Sequence, residues 1–416
     1  MDEAGTGRRL AGLLAVWGAS RAVLLLFVLR VLVFPGPDVT SDVSVIYRGW
    51  YEVLRQGAFP VGDVAWQYPP GAALAVLSPA ALPFLGYATA FFVLALLADL
   101  AVLCLLLSAG RGPGRPLRGA WVWTVGAAAL GPTLYARYDV MVTAVAVAAL
   151  LVGARRPRLL GALAGAGALL KVWPVLLLVG VRGAARCRVW GSAALTVAVP
   201  ASLLALAVPG TLSFLTAQRE RGTEVESLGA LVFHVARHFG WRGQVLLNYG
   251  SVEFLGPYVG VVSAAAQALT VAAFGWLLLW RLRARRSAPH TPADAAFTAV
   301  LLFTATSRVI SPQYLVWLVG LAAVCLCFRG SAMRAPAALV LAASFATVLE
   351  FPVWFADVVA SDRLGVAVLF LRDGLLVAAC AGAGRALWRS TAAGALPVTL
   401  PGQAGVHGRQ TPAAHD

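Results

Sequence analysis

LLGALAGAGALLKVWPVLLLVGV, residues 159–181, is an apolar run with arginines at both ends: Arg155, Arg156 and Arg158 before it, Arg182, Arg186 and Arg188 after it. A helix of about 20 residues rises about 30 Å, enough to cross a bilayer core once but not twice. Arginines keep short loops on the cytoplasmic side, so both flanks belong on the same side. The conflict resolves if the run is a hairpin of two half-length helices, broken at Lys171-Val-Trp-Pro174, where Pro174 cannot continue the helical ladder. Irregular backbone at membrane depth is tolerated where it is buried in protein or lines a cavity. The fold expected from this one stretch is an all-α, polytopic membrane bundle with an interior cavity.

The rest of the chain agrees. Its 416 residues are 60% hydrophobic and 12% charged, and the mean hydropathy is +0.80. Soluble domains carry about a quarter charged residues, so that class is excluded. The net charge of +15 comes from short arginine clusters between apolar runs (Arg8–Arg9, Arg111/Arg115/Arg118, Arg281–Arg286, Arg329/Arg334, Arg385/Arg389), which sets topology and argues against a nucleic-acid partner. The opening run is too long for a signal peptide and has no small-residue cleavage site, so it reads as a retained span. The five cysteines have no metal-ligand spacing, and neither a disulfide framework nor a metal site is expected.

Placing the arginines inside gives about 11–13 spanning or half-spanning helices over residues 10–386. External loops fall at 35–86 and 210–255. A second broken hairpin, over about 295–328, is interrupted at SRVISPQY. Residues 1–9 and the Gly/Ala/Pro-rich tail 387–416, which reads as disordered, are cytoplasmic. No internal repeat is visible.

The polar residues left over collect on the external side. PDVTSDVSVIYRGWYEVL (37–54) places Asp38 and Asp42 where the chain has just left the bilayer. Carboxylates at such a rim are suited to general-base chemistry, although TSD before an amphipathic stretch is also a helix-capping signal. Lys171, the only lysine, sits in an apolar hairpin where a midspan cation costs roughly 2.5–3.5 kcal/mol, and so points to function. Arg137 and Asp139 in YARYD, Arg221 and Glu226 in RERGTEVES, and Arg308, Gln313 and Tyr314 in SRVISPQYL are the other external groups. External arginines run against the positive-inside rule and suit anion binding.

In this order, DVAWQYPPG, YARYD, LLKVWP, RERGTEVES and SRVISPQYL resemble bacterial membrane glycosyltransferases of family 87, enzymes of the GT-C fold related to polyprenyl-phosphate-mannose-dependent α-mannosyltransferases. The resemblance runs over most of residues 10–385. It implies an inverting hexosyltransferase of the plasma membrane that uses a polyprenyl-phosphate-sugar donor, a glycolipid or glycan acceptor and no cofactor or metal. It further implies Asp42 as the base, with Asp63 in reserve. Lys171, Arg308 and Arg137 would hold the donor phosphate, and Tyr47, Asp63, Gln67, Tyr68, Asp139, Arg221, Glu226, Gln313 and Tyr314 the substrates. The other class open to this topology is a transporter or flippase of a lipid-linked saccharide, which needs no carboxylate base.

Overall fold

The structure, a computed structural model, describes residues 3–110, 117–153, 155–217 and 221–392. The chain begins with α1 (Glu3–Val28), then a widened π-helical turn at Asp42–Tyr47 that leads into α2 (Arg48–Leu54), then α3 (Ala72–Leu77) and α4 (Tyr87–Gly110). It continues through α5 (Arg118–Ala129), α6 (Asp139–Gly153), α7 (Pro157–Leu170), α8 (Arg186–Ala207), α9 (Phe214–Ala217) and α10 (Ala230–Arg237). The rest is α11 (Val259–Arg283), α12 (Thr291–Thr306), α13 (Tyr314–Leu326), α14 (Arg334–Val348), α15 (Phe355–Ala360) and α16 (Arg363–Thr391). Six helices among the described residues are long and apolar enough to cross a membrane, and four shorter apolar helices accompany them. With α5 and α12 they fall in the expected range. The all-α polytopic bundle is what the sequence predicts.

The stretch 159–181 folds back as expected. Helix α7 ends at Lys171, whose backbone is extended, and residues Trp173–Leu178 form a short 3-10 turn. Gly161 lies so close to α8 that a Cβ there would sit 2.0 Å from the Val189 carbonyl oxygen; one on Gly165 would be 2.7 Å from that of Ala193. The two contacts advance together along both helices, so α7 and α8 are parallel. Parallel neighbours require the chain between them to return to its starting side. The arginine-rich ends then gather: the Arg281 guanidinium donates to the carbonyls of Val179 and Val181, and the amides of Arg285 and Arg286 donate to that of Thr391.

Three boundaries differ from expectation. Helix α1 stops at Val28 rather than near 34, because Arg30 takes a left-handed φ of 61° and Gly36 one of 100° just before Pro37. Helix α16 runs on through Thr391, so residues 387–391 are helical; the remainder of the expected disordered tail, like Arg111 and Arg115 of one expected cluster, lies outside the described residues. The loop 210–255 carries a three-stranded antiparallel sheet, β1 (Thr223–Glu224), β2 (Gln244–Asn248) and β3 (Ser251–Leu255), in the order β1-β3-β2. Its hairpin turns at Tyr249-Gly250, both with positive φ (49° and 76°), the two-residue geometry that matches strand twist.

The bundle is pinned at one buried ion pair. Arg21 of α1 donates to both Asp99 oxygens of α4 (2.8 and 3.1 Å) and to the Thr124 carbonyl of α5 (2.7 Å). Trp123 Nε1 (2.6 Å) and Tyr135 Oη (2.7 Å) complete the carboxylate's shell. Both charges are essentially inaccessible, at 2% and 0% exposure. Such a pair stabilises only while complete, since removing one partner strands the other in a low dielectric. Asp99→Ala is therefore expected to cost about 3–5 kcal/mol, and the double substitution Asp99→Leu with Arg21→Met to recover most of it. Melting temperatures of the three proteins in detergent test this.

Candidate active site

A cavity of about 590 Å³ opens at the end of the bundle opposite the arginine clusters, within the range of small-molecule sites. Five parts of the chain build most of it. The turn after α1 supplies Asp38 and Asp42, and the WQYPPG segment supplies Gln67 and Tyr68. The two hairpin breaks supply Lys171 with Trp173 and Gln313 with Tyr314, while the sheet and its approach supply Arg221, Glu224 and Glu226. Arg137 and Tyr47 complete the polar wall.

The α7 break is held open by charge. Lys171 Nζ donates to Asp139 Oδ1 at 2.7 Å, and Trp317 Nε1 donates to the same oxygen at 2.6 Å. Four rings face the ammonium at 5.0–5.6 Å: Tyr68, Tyr138, Tyr314 and Trp317. Their quadrupoles favour a cation there, and Tyr314 stacks on Trp317 at 4.2 Å. Asp139 itself is buried beneath Lys171 and is not on the cavity wall.

At the rim, Arg137 Nη2 pairs with Asp42 Oδ2 at 2.5 Å, and its Nη1 donates to the Ala136 carbonyl at 2.9 Å. The Asp42 side chain is 28% exposed and faces the cavity. Asp38 is spent on its own turn, accepting from the Thr40 amide and hydroxyl at 2.9 and 2.7 Å. Asp63 does not reach the cavity: it accepts from Trp50 Nε1 at 2.7 Å and from the Ala65 amide at 2.8 Å, fixing the aromatic loop behind the wall. Arg308 stands behind the wall too, donating to the Arg221 carbonyl at 3.2 Å.

Arg221 and Gln67 line the cavity but also clasp its cover. Arg221 donates to Glu253 Oε1 at 2.9 Å, to Gln67 Oε1 at 3.2 Å and to Ser251 Oγ. Gln67 Nε2 donates to the Tyr249 carbonyl at 3.0 Å, fastening the sheet to the WQYPPG segment. Glu224 ends β1, and Glu226 follows in the turn after it. Burial pushes the Glu224 carboxyl up, with Arg221 opposing it; burial and then the adjoining Glu350 push Glu226 well up. Tyr68 is raised to about 12 by burial and then by Asp139.

Four polar atoms of lining residues are buried with no donor or acceptor opposite them among the described residues except, for Glu226, the Glu350 carboxyl: Tyr47 Oη, Trp173 Nε1, Glu224 Oε2 and Glu226 Oε1. Buried polar atoms are nearly always satisfied. A set of two donors and two acceptors around one cavity suits a ligand rich in hydroxyls.

Residues 66–312 match the profile of glycosyltransferase family 87. The chain belongs to this family. As a family 87 member it is a glycosyltransferase, and its apolar helices make it a multi-pass membrane protein. Among solved structures it is similar to ArnT from Cupriavidus metallidurans in the apo state, at 16% identity and a TM-score of 0.47 over 92% of this chain and 77% of that one. The same enzyme bound to undecaprenyl phosphate matches at 15% identity and a TM-score of 0.45, over 93% and 78%. Comparison with curated proteins gives no match.

Several residues in or around the cavity escape sequence reading. Trp317, Tyr138 and Trp173 sit in or beside apolar runs and look like packing or belt aromatics; only the fold turns them onto Lys171 or into the cavity. His234 of α10 is another. Its Nε2 lies 2.8 Å from the Val225 carbonyl, between the two cavity glutamates in sequence, and its Nδ1 lies 2.8 Å from Ser361 Oγ. The carbonyl can only accept, so the proton sits on Nε2. Burial lowers His234 to about 4, whereas an unfolded histidine titrates near 6.5. Between these values the unfolded chain binds the extra proton. The stabilisation by neutral His234 is thus complete above about pH 6.5 and is lost as pH falls towards 4, by up to about 1.4 kcal/mol per pH unit. The stability gap between wild type and His234→Gln should therefore shrink on going from pH 7.5 to 5, measured by thermal unfolding of both proteins.

Proposed function

We propose that this family 87 member is an inverting hexosyltransferase that moves mannose from a polyprenyl-phosphate-linked donor to a glycolipid or glycan acceptor. The reaction takes place at the outer face of a bacterial plasma membrane, with both chain termini in the cytoplasm. The observation that carries the proposal is the juxtaposition, in one cavity, of the Asp42–Arg137 pair, the caged Lys171 and the four buried polar atoms. A sugar satisfies the unpartnered atoms and stacks on Trp50 or Tyr68. In this reading the acceptor hydroxyl gives its proton to Asp42 as it bonds to the anomeric carbon. The bond from that carbon to the phosphate oxygen breaks on the opposite face. The lipid phosphate leaves with the bonding pair, and Arg137 and Lys171, cations already in place in a low-dielectric wall, stabilise its charge. Lys171 spends one ammonium proton on Asp139 and keeps two for an anion. Arg308 and Asp63, set behind the wall, act here by holding the cover and the aromatic loop rather than by touching substrate.

The test supplies labelled polyprenyl-phosphate-mannose and a host glycolipid extract to membranes containing either wild type or Asp42→Asn. Wild type is expected to transfer label, and the variant to lose about 10²–10⁴-fold in rate while keeping its melting temperature. Equal transfer by both removes Asp42 from the chemistry. A flippase, needing no base, would move lipid-linked sugar across vesicles equally well in both proteins. Transfer is also expected to be unchanged in EDTA; a loss restored by a divalent ion would replace this mechanism with a metal-assisted one.

A further inference from the structure

A second cavity, of about 520 Å³, lies at the arginine-rich end, between the 3-10 return after Lys171 and helices α8 and α11. Its walls are apolar apart from Arg186, Arg281 and Cys187. Helices α8 and α11 are only 11% buried across their apolar windows, so this groove opens sideways onto lipid rather than into the bundle. Large apolar side chains stand open along it: Trp190 is 40% exposed and Leu278 58%.

Two guanidiniums line its head, those of Arg186 and Arg281, and that of Arg182 lies near Arg281 just outside the lining. Arg281 is fixed in place by the carbonyls of Val179 and Val181, and Arg182 and Arg186 both bring like charge onto it. No carboxylate forms an ion pair with any of the three among the described residues, and Arg182 Nη1 is buried with no hydrogen-bond partner among them. Convergent like charges at a membrane boundary repel one another, and an anion offsets that repulsion. Guanidinium is the side chain whose fork matches a phosphate. Charge at the head and an apolar, lipid-facing groove beneath it together specify an amphiphile.

We propose that this groove is a binding site for an anionic phospholipid of the cytoplasmic leaflet, its phosphate held by Arg182, Arg186 and Arg281 and its acyl chains lying along Trp190 and Leu278. The head of the groove lies at the opposite end of the bundle from Asp42, with Phe274 of the groove stacked at 6.5 Å on Phe303 of the Asp42 cavity, and the lipid it takes is structural or regulatory, not the sugar donor. Anionic lipids are enriched near basic juxtamembrane clusters, and the leaflet follows from the sidedness proposed above. Because Arg281 also holds the 3-10 return that ends the Lys171 hairpin, the lipid headgroup neutralises a cluster on which that hairpin rests.

The test titrates full-length protein in detergent with phosphatidylglycerol and, separately, with phosphatidylcholine of the same acyl chains, reading bound lipid by native mass spectrometry. Phosphatidylglycerol is expected to bind one-to-one and more tightly than phosphatidylcholine. The double variant Arg182→Gln/Arg186→Gln should weaken it about thirty-fold. Arg385→Gln/Arg389→Gln, which removes as many charges elsewhere on the same side, should leave it unchanged, with melting temperatures confirming that both variants fold. Equal binding of the two lipids, an equal loss in the two variants, or complete displacement by inorganic phosphate alone would each overturn the proposal. Because the readout is bound lipid, failure of the glycosyl-transfer reading leaves this result untouched.

Discussion

The ion pair between Lys171 and Asp139 is the constraint on which the cavity end of the molecule depends. An ammonium in an apolar hairpin is expensive, and here the expense is met by one carboxylate at 2.7 Å and four aromatic rings. Those partners come from separate parts of the chain: Asp139 begins α6, Tyr138 precedes it, Tyr68 belongs to the WQYPPG segment, and Tyr314 and Trp317 open α13. Moving Asp139 would leave the charge uncompensated, and moving any of the rings would remove part of its support. The break in α7 is therefore a junction, and the cavity is the space the junction keeps clear.

Around that junction the charges divide into two kinds. Some are fully occupied in holding the fold, such as Arg21 with Asp99 deep in the bundle, or Arg221 with Glu253 in the cover. Others are placed on the wall with capacity to spare, as with Asp42, Lys171, Glu224 and Glu226. Arg372 illustrates a mixed case: it pairs with Asp373 at 3.0 Å and donates to the Glu226 carbonyl, so it steers a wall residue from inside a spanning helix.

Much of this was legible in the residues. The hairpin at 159–181 follows from Pro174 and the arginines at both flanks, and the break at SRVISPQY appears where expected, between Thr306 and Tyr314. Both depend on local chemistry. What depends on contacts distant in sequence was not legible. Asp63 looks like Asp42 in the sequence, yet Trp50 takes its carboxylate away from the cavity. The sheet in 210–255 is hidden by the charges of RERGTEVES, and only the Gly-containing turn of QVLLN-YG-SVEFL hints at its hairpin. Trp317 lay in a run so apolar that nothing marked it as a hydrogen-bond donor to Asp139.

The length of α7 has a consequence for how the protein is made. Its 14 residues rise about 21 Å, short of the ~30 Å core, and the six residues of the return cannot stand in lipid with a lysine at their head. What shelters them is made later. Trp173 stacks on Trp317 at 5.2 Å, and Gly180 lies against Pro292 and Ala295. Until the ribosome has passed α13, the segment has its loop arginines and the neighbouring α6 and α8 but no roof. The cavity can thus be completed only after α12 and α13 have been made, which places its assembly late in biogenesis.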